Sequence, residues 1–401
     1  MKIGIIREGK VPADKRVVLP PALCVKFKKQ YPEIELVVQP SAIRAFPDSD
    51  YIAAGIDMNE DLSDCDVLLG VKEVPLDMLI PNKTYFFFSH TYKKQEYNKD
   101  LLNKILADKI EFIDYELLKY ATGVRLLGFG RFAGIVGAYN GFRLLGERTK
   151  TFSLKAAYDC HDLVELKQEL KKVILPKGYK IVMTGDGRVG HGSMEILDCV
   201  DIKKMNPDEY ISYSGDEAVY TQLGVTDYNR KKDGTPSTKK EFYTTPELFE
   251  SDFMRFAKTS DMYVASHYWS DKSPFIFTRE DAKHPDFRIK TVSDISCDID
   301  CAVASTLRPS TIADPFYAYL ASEEKEVSID NMDAIAVMAV DNLPCELPRD
   351  ASEGFGAEFM EKVLPVFFGA DPEKIIYRAT ETKKDGTLNE PFRYLEEWRN
   401  S

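Results

Sequence analysis

The run Tyr179-Lys-Ile-Val-Met-Thr-Gly-Asp-Gly-Arg-Val-Gly-His-Gly-Ser193 constrains this chain more than any other stretch. A short apolar run, Ile181 to Met183, leads into Gly185-x-Gly187-x-x-Gly190. Met194, Ile196, Leu197 and Val200 then recur at helical spacing. The order reads as strand, tight turn, helix. Gly185 permits the turn, Gly187 lets backbone approach a pyrophosphate, and Gly190 lets the helix pack close to the strand. Phosphates would face the free N–H groups and positive end of the new helix. The pattern predicts a dinucleotide site with Gly185, Gly187, Arg188, Val189 and Gly190 at the cofactor. The competing reading is a glycine turn that serves packing alone.

With 401 residues the chain is long enough for two or three domains. A net charge of −12 argues against a nucleic-acid partner, which needs a basic face. It leaves room for a local cationic pocket and a small anionic metabolite. No apolar run reaches the ~18 residues of a membrane span, and the opening Met1-Lys-Ile-Gly-Ile-Ile6 reads as a strand, not a signal peptide. The seven cysteines are scattered and odd in number. That pattern suits reduced thiols in a cytoplasmic protein. There is no CxxC and no histidine cluster, so no metal site is expected. A monomer or small homo-oligomer is expected.

Apolar runs at Ile3–Ile6, Leu36–Val38, Val67–Val71, Tyr85–Ser89 and Glu111–Asp114 alternate with helix-like segments at Pro20–Lys29, Tyr51–Ala54 and Glu96–Asp108. This βα alternation predicts a parallel sheet covered on both faces. The expected fold is α/β, with two Rossmann-like domains whose parallel sheets flank a cleft. The first domain is read as residues 1–145 plus about 311–401, and the dinucleotide domain as about 146–310. Its nucleotide unit is expected to begin near Gly178 and to use strands at Met262–Ala265 and Thr291–Ile295. Gly128–Leu145 reads as a helix whose small residues require a close neighbour, because each glycine costs a helix about 1 kcal/mol against alanine. Asn229–Lys240 reads as a surface loop, Asp330–Val340 as a strand and Ser352–Leu364 as a helix.

Lys72 follows the apolar run ending at Val71, and His90 follows the run ending at Ser89. Ligands bind at the C-terminal edge of parallel sheets, and lysine and histidine there make a usable acid/base pair. Lys10, Arg16, Lys93, Arg125 and Arg131 are candidates for carboxylate binding, arginine because its fork matches a carboxylate. Glu116, after another strand, either orients Lys72 or pairs with an arginine. Asp294 and Asp298 follow a further strand, where they face a cofactor or cap a turn.

The chain resembles the lysine-forming saccharopine dehydrogenases, within the alanine dehydrogenase and transhydrogenase superfamily. The resemblance rests on Arg16-Val-Val-Leu-Pro20, Gly70-Val-Lys-Glu-Val-Pro75, Ser89-His-Thr-Tyr-Lys93, Phe112-Ile-Asp-Tyr-Glu116, Gly128-Phe-Gly-Arg-Phe-Ala-Gly134 and Asp341-Asn-Leu-Pro-Cys-Glu-Leu-Pro-Arg-Asp-Ala-Ser352. It implies an NAD-dependent oxidoreductase that cleaves saccharopine reversibly to lysine and 2-oxoglutarate. Lys72 and His90 become the acid/base pair and Glu116 a modulator of Lys72. Arg16, Lys93 and Arg131 become carboxylate binders and Asp298 a cofactor-side residue. An alanine dehydrogenase-like or opine-type enzyme, or a non-catalytic nucleotide-binding protein, are the rival readings. The family normally closes its second nucleotide strand with an acid that holds the adenosine ribose. The region read as equivalent, Asp201 to Glu209, has none after an apolar strand and carries Lys203 and Lys204, so NADP stays open beside NAD. The region from Ser214 to Lys240 reads as an insertion.

Overall fold

The computed structural model describes residues 1–401. The chain divides into two compact units, Met1–Phe129 with Pro348–Ser401, and Gly130–Leu347. Both boundaries differ from the expected 145/146 and 310/311. The first shifts because the glycine-rich helix, observed as Gly130–Thr149, packs within the second unit. The second shifts because strand-forming residues after 310 extend the second unit's sheet.

The first unit is built on β1 (Lys2–Ile5), β2 (Glu35–Val38), β3 (Asp57–Met58), β4 (Val67–Leu69), β5 (Thr84–Phe87) and β6 (Glu111–Asp114), all parallel, in the order β6-β5-β4-β1-β2-β3. The C-terminal strand Thr380–Thr382 adds antiparallel to β6. Every residue of β4 and β5 is buried. Alternation sends Val67, Leu69 and Phe86 into one core and Leu68, Tyr85 and Phe87 into the other. Being covered on both faces explains why these strands read as continuous apolar runs. It also leaves only their ends free to carry polar groups. The helix expected at Ser352–Leu364 begins earlier, at Pro348–Glu358, and continues through a π-helical turn at Phe359–Val363.

The second unit has β7 (Lys180–Thr184), β8 (Lys203–Met205), β9 (Val219–Leu223), a small antiparallel ribbon of β10 (Asn229–Lys231) and β11 (Phe249–Ser251), then β12 (Met262–Ala265), β13 (Thr291–Asp294), β14 (Phe316–Leu320), β15 (Lys325–Val327) and β16 (Ile335–Met338). The large sheet runs β15-β14-β16-β13-β12-β7-β9-β8, with β14 alone running against the others. Two expectations are corrected here. Asn229–Lys240 is not loop throughout, since its first three residues pair with Phe249–Ser251. The neighbour of β7 is β9, not the strand near residues 201–209, which lies at the sheet edge. Burial explains the order: β9 is almost wholly buried, whereas β8 exposes Lys203 and Lys204, and charged strands suit edges. The stretch read as an insertion therefore contains the second nucleotide strand itself.

The neighbour demanded by the small residues of helix Gly130–Thr149 is helix Arg188–Leu197, the one that follows the glycine turn. A Cβ on Gly134 would collide with the Val189 carbonyl oxygen, and one on Gly192 with that of Arg131. The backbones touch, so side chains are excluded on both sides. No helix is long and apolar enough to cross a membrane.

One buried acid of this unit gives a pH test. Glu346 is 1% exposed and accepts a hydrogen bond from Asn140 Nδ2 at 2.9 Å. Burial pushes its carboxyl up to about 7, against smaller opposing effects of Asn140 and Arg143. Between its ordinary value of 4.5 and about 7, the folded unit holds this proton after the unfolded chain has lost it. Stability therefore falls as pH rises through that window and is flat above it. A Glu346→Gln variant escapes this loss. Urea unfolding is expected to show the variant gaining stability relative to the native chain between pH 5 and pH 8, by on the order of 1–3 kcal/mol. An unchanged difference between the two pH values would refute a neutral-favouring site.

Candidate active site

In the first unit the ends of four adjacent strands supply the polar groups. Beyond β1, the half-buried Glu8 carboxylate accepts the N–H of Val71 at 2.7 Å and of Lys72 at 2.9 Å. It thereby fixes the turn after β4 that carries Lys72. Burial pushes the Glu8 carboxyl up to about 7. Beyond β5, His90 adopts a left-handed backbone with φ of 60°, which turns its ring between two acids. Its Nδ1 lies 3.4 Å from Glu73 Oε1 and its Nε2 lies 3.4 Å from Glu116 Oε2. Lys10 Nζ reaches Glu73 at 2.6 Å. Glu116 also receives Lys93 Nζ at 3.2 Å and Arg125 Nη2 at 2.6 Å.

The result is a ladder, Lys10–Glu73–His90–Glu116, ending in Lys93 and Arg125. Burial disfavours the charged form of Glu73, but hydrogen bonds from His90 and Lys10 outweigh it and bring its carboxyl down to about 2. Glu116 is likewise held below its ordinary value: burial opposes this, and Arg125, Lys93 and His90 overcome it. Both acids are thus held as anions, one on either side of the imidazole. Glu116, read as orienting Lys72 or pairing with an arginine, pairs with Arg125 and stands beside His90, whose strand β5 adjoins β6.

Behind the ladder lies a dry carboxyl pair. Asp114 accepts from Ser89 N, Ser89 Oγ and Glu116 N. Thr91 Oγ1 donates to Glu381 Oε2 at 2.7 Å. Burial raises both carboxyls; the Glu116 charge adds to the rise at Asp114, and the Asp114 charge to that at Glu381. This network grips the residues on either side of His90.

Two expected carboxylate binders fork onto acids outside the ladder. Arg16 is buried and forks onto Asp14 at 2.6 and 3.0 Å, with its guanidinium 4.2 Å over the Phe129 ring. Arg131 belongs to the second unit and forks onto Glu195, which Lys167 also reaches. The missed residues are Glu8, Glu73 and Glu381. Glu73 sits beside Lys72 in the Gly70–Pro75 motif and is visible there; Glu381 is brought in only by the antiparallel C-terminal strand.

In the second unit the glycine turn has the geometry a pyrophosphate needs. Gly185 has φ of +102°, and a Cβ there would strike the Ser266 carbonyl oxygen. A Cβ on Gly190 would strike the Gly185 carbonyl oxygen, whereas one on Gly187 would meet nothing within 4 Å. Open space thus faces Gly187 at the N-terminus of helix Arg188–Leu197, with Val189 in its first turn. A cavity of about 370 Å³ adjoins it, lined by the glycine turn, Val225, Tyr228, Lys239, Tyr243 and Ser266 to Tyr268. The strand beside β7 ends Leu223-Gly224, with no acid at its tip. The nearest, Asp227, closes a local turn by accepting Gly224 N–H at 2.7 Å. After β13, Asp294 caps a turn through Ser296, Cys297 and Thr306. Asp298 is half-buried, and burial with the Asp294 charge pushes its carboxyl up to about 6.

The glycine-turn nucleotide fold of one unit and the parallel sheet of the other, with basic and acidic groups at its strand ends, define a two-unit α/β architecture. Residues 4–136 match the family model described as alanine dehydrogenase/PNT, N-terminal domain. The chain is 31% identical over 395 residues to an alpha-aminoadipic semialdehyde synthase of Arabidopsis thaliana, covering 88% of this chain and 37% of that one. A relative from Bos taurus with that name, mitochondrial, is 29% identical over 92% of this chain and 45% of its own. The chain thus spans less than half the length of these curated relatives. It is 23% identical to a saccharopine dehydrogenase [NAD(+), L-lysine-forming] of Yarrowia lipolytica, over 91% of this chain and 92% of that one. Among solved structures, an L-alanine dehydrogenase aligns with TM-score 0.67 at 15% identity, covering 99% of both chains. Residues 4–136 thus resemble an alanine dehydrogenase/PNT N-terminal domain, and the chain as a whole is similar to alpha-aminoadipic semialdehyde synthases and to saccharopine dehydrogenases.

Proposed function

We propose that this chain transfers hydride between a nicotinamide dinucleotide, NAD, and the secondary amine of saccharopine, cleaving it reversibly to lysine and 2-oxoglutarate. The observation that carries this reading is the ladder around His90, at a strand end adjacent to that of Lys72, in a chain that also holds a dinucleotide cradle. The names of the fungal relatives supply the substrate. Within the ladder three cations, Lys10, Lys93 and Arg125, face two carboxylates, Glu73 and Glu116. The positive excess suits a substrate with three carboxylates. The seven cysteines are free thiols, in keeping with a reducing, cytoplasmic setting.

Held through its pyrophosphate by the turn of Gly185, Gly187, Arg188, Val189 and Gly190, a nicotinamide dinucleotide would supply the acceptor for the hydride of the glutamate-side carbon. The chain's own groups manage protons. The amine must be neutral to lose hydride, so Lys72 or His90 takes its proton. Water then adds to the imine with base help, and an acid protonates the departing lysine nitrogen as the carbinolamine collapses. Asp298 is assigned to the cofactor side.

The test is NADH oxidation with lysine plus 2-oxoglutarate, beside pyruvate plus ammonia, each repeated with NADPH. Turnover with the first pair is expected. Turnover with only the second would make the chain an alanine dehydrogenase-like enzyme. Tight nucleotide binding without turnover on either would leave a non-catalytic binding protein. Because no acid tips β9, the NADPH arm decides between the two nucleotides.

A further inference from the structure

One polar group in the second unit has no use in the reading above. His267 lies just beyond the end of β12, lines the cavity beside the glycine turn and is 8% exposed. Its Nδ1 is 2.9 Å from Thr184 Oγ1 and 3.3 Å from the Tyr263 hydroxyl, and those two oxygens are 2.8 Å apart. Its Nε2 is buried without a hydrogen-bond partner. Buried ring nitrogens are rarely left unmatched, and such orphans call for an explanation.

The protonation of this cluster follows from its own bonds. Tyr263 and Thr184 each have one hydroxyl proton. Both find an acceptor only if Nδ1 accepts, so the ring proton sits on Nε2. Burial pushes the imidazole down to about 4, so the ring is neutral. The cavity supplies the direction. The glycine turn places a pyrophosphate at Gly187, and the space flanked by the ends of β7, β9 and β12 takes the next group along the ligand. In a nucleotide fold of this order that group is the adenosine half. Val225, Tyr228 and Tyr268 offer apolar and aromatic wall for a base.

We infer that His267 is a cofactor-contacting residue whose Nε2–H donates to the adenosine diphosphate half of the bound dinucleotide. This rests on the dinucleotide reading of the proposed function. Thr184 and Tyr263 then act as positioning residues that set its tautomer. Its contribution is to affinity for one end of the cofactor, remote from hydride transfer.

The test uses the full chain and calorimetric titration with ADP-ribose, NADH and nicotinamide mononucleotide. His267→Asn keeps a group at the Nδ1 position and removes the Nε2 donor. His267→Gln places an amide nitrogen near the Nε2 position. Asn is expected to weaken ADP-ribose and NADH about tenfold, the loss of one buried hydrogen bond, while nicotinamide mononucleotide binding is unchanged. Gln is expected to recover most of the loss. Native-like ADP-ribose affinity in a folded His267→Asn variant would overturn the inference. If neither variant folds, ring-nitrogen NMR of the native chain decides: the Nε2–H signal moves on adding ADP-ribose, or the inference fails. A native chain that binds no dinucleotide at all overturns the dinucleotide reading and this inference with it. A native chain that binds normally beside an unaffected variant overturns the histidine alone.

Discussion

Replacing Lys72 with methionine is expected to lower kcat for lysine plus 2-oxoglutarate by about 10²–10⁴, the usual loss for a positioned acid/base group. NADH affinity and thermal stability are expected to stay as they are. The separation follows from how the turn is built. The backbone at Lys72 is held by the half-buried Glu8 carboxylate, which accepts the N–H groups of residues 71 and 72. Removing the ammonium group leaves both bonds in place. Methionine keeps the chain length and much of the apolar stem, so little packing is lost. The nucleotide turn belongs to the other compact unit, Gly130–Leu347. Steady-state kinetics, NADH fluorescence titration and a melting curve on one preparation are enough. Full turnover in the variant would take Lys72 out of the chemistry. A parallel fall in Tm would mean that the side chain serves the turn and not the reaction.

The sequence reveals the parts of this molecule whose signals are local. The strand–turn–helix at residues 179–193 needs only a few adjacent residues to be recognised, and it folds as read. Lys72 and His90 were visible because buried parallel strands expose polar side chains only at their ends. Partners across the sheet were harder to see. Whether Glu116 faces Lys72 or His90 depends on strand order, and β5 lies between β4 and β6. Arg131 looked like a substrate cation until the packing of two helices put Glu195 opposite it. β9 lies inside the stretch from Ser214 to Lys240 read as an insertion, and its polar Thr221 and Gln222 interrupt the apolar pattern. Their bonds to the Met205 and Gly185 carbonyl oxygens account for them, and neither bond is legible from spacing.

The three glycines of the nucleotide turn are expected to respond differently to a side chain, and the second separates ligand from fold. Gly187 has φ of −91° and ψ of −165°, an extended backbone that valine adopts without strain. Its Cβ would meet no protein atom within 4 Å. Gly187→Val should therefore melt within a few degrees of the native chain. The space its methyl groups enter is the space a pyrophosphate needs at the N-terminus of helix Arg188–Leu197. NADH affinity is expected to fall about 100-fold or more, nearly 3 kcal/mol. Gly190→Val serves as the control, because its Cβ would strike the Gly185 carbonyl oxygen and its cost lands on the fold, at about 1–3 kcal/mol for overpacking or more. Calorimetric titration of NADH into the first variant and melting of the second distinguish the two effects. Native NADH affinity in Gly187→Val would mean that the phosphates do not lie against this turn. The turn would then serve packing alone, and the case for a dinucleotide enzyme would lose its physical base.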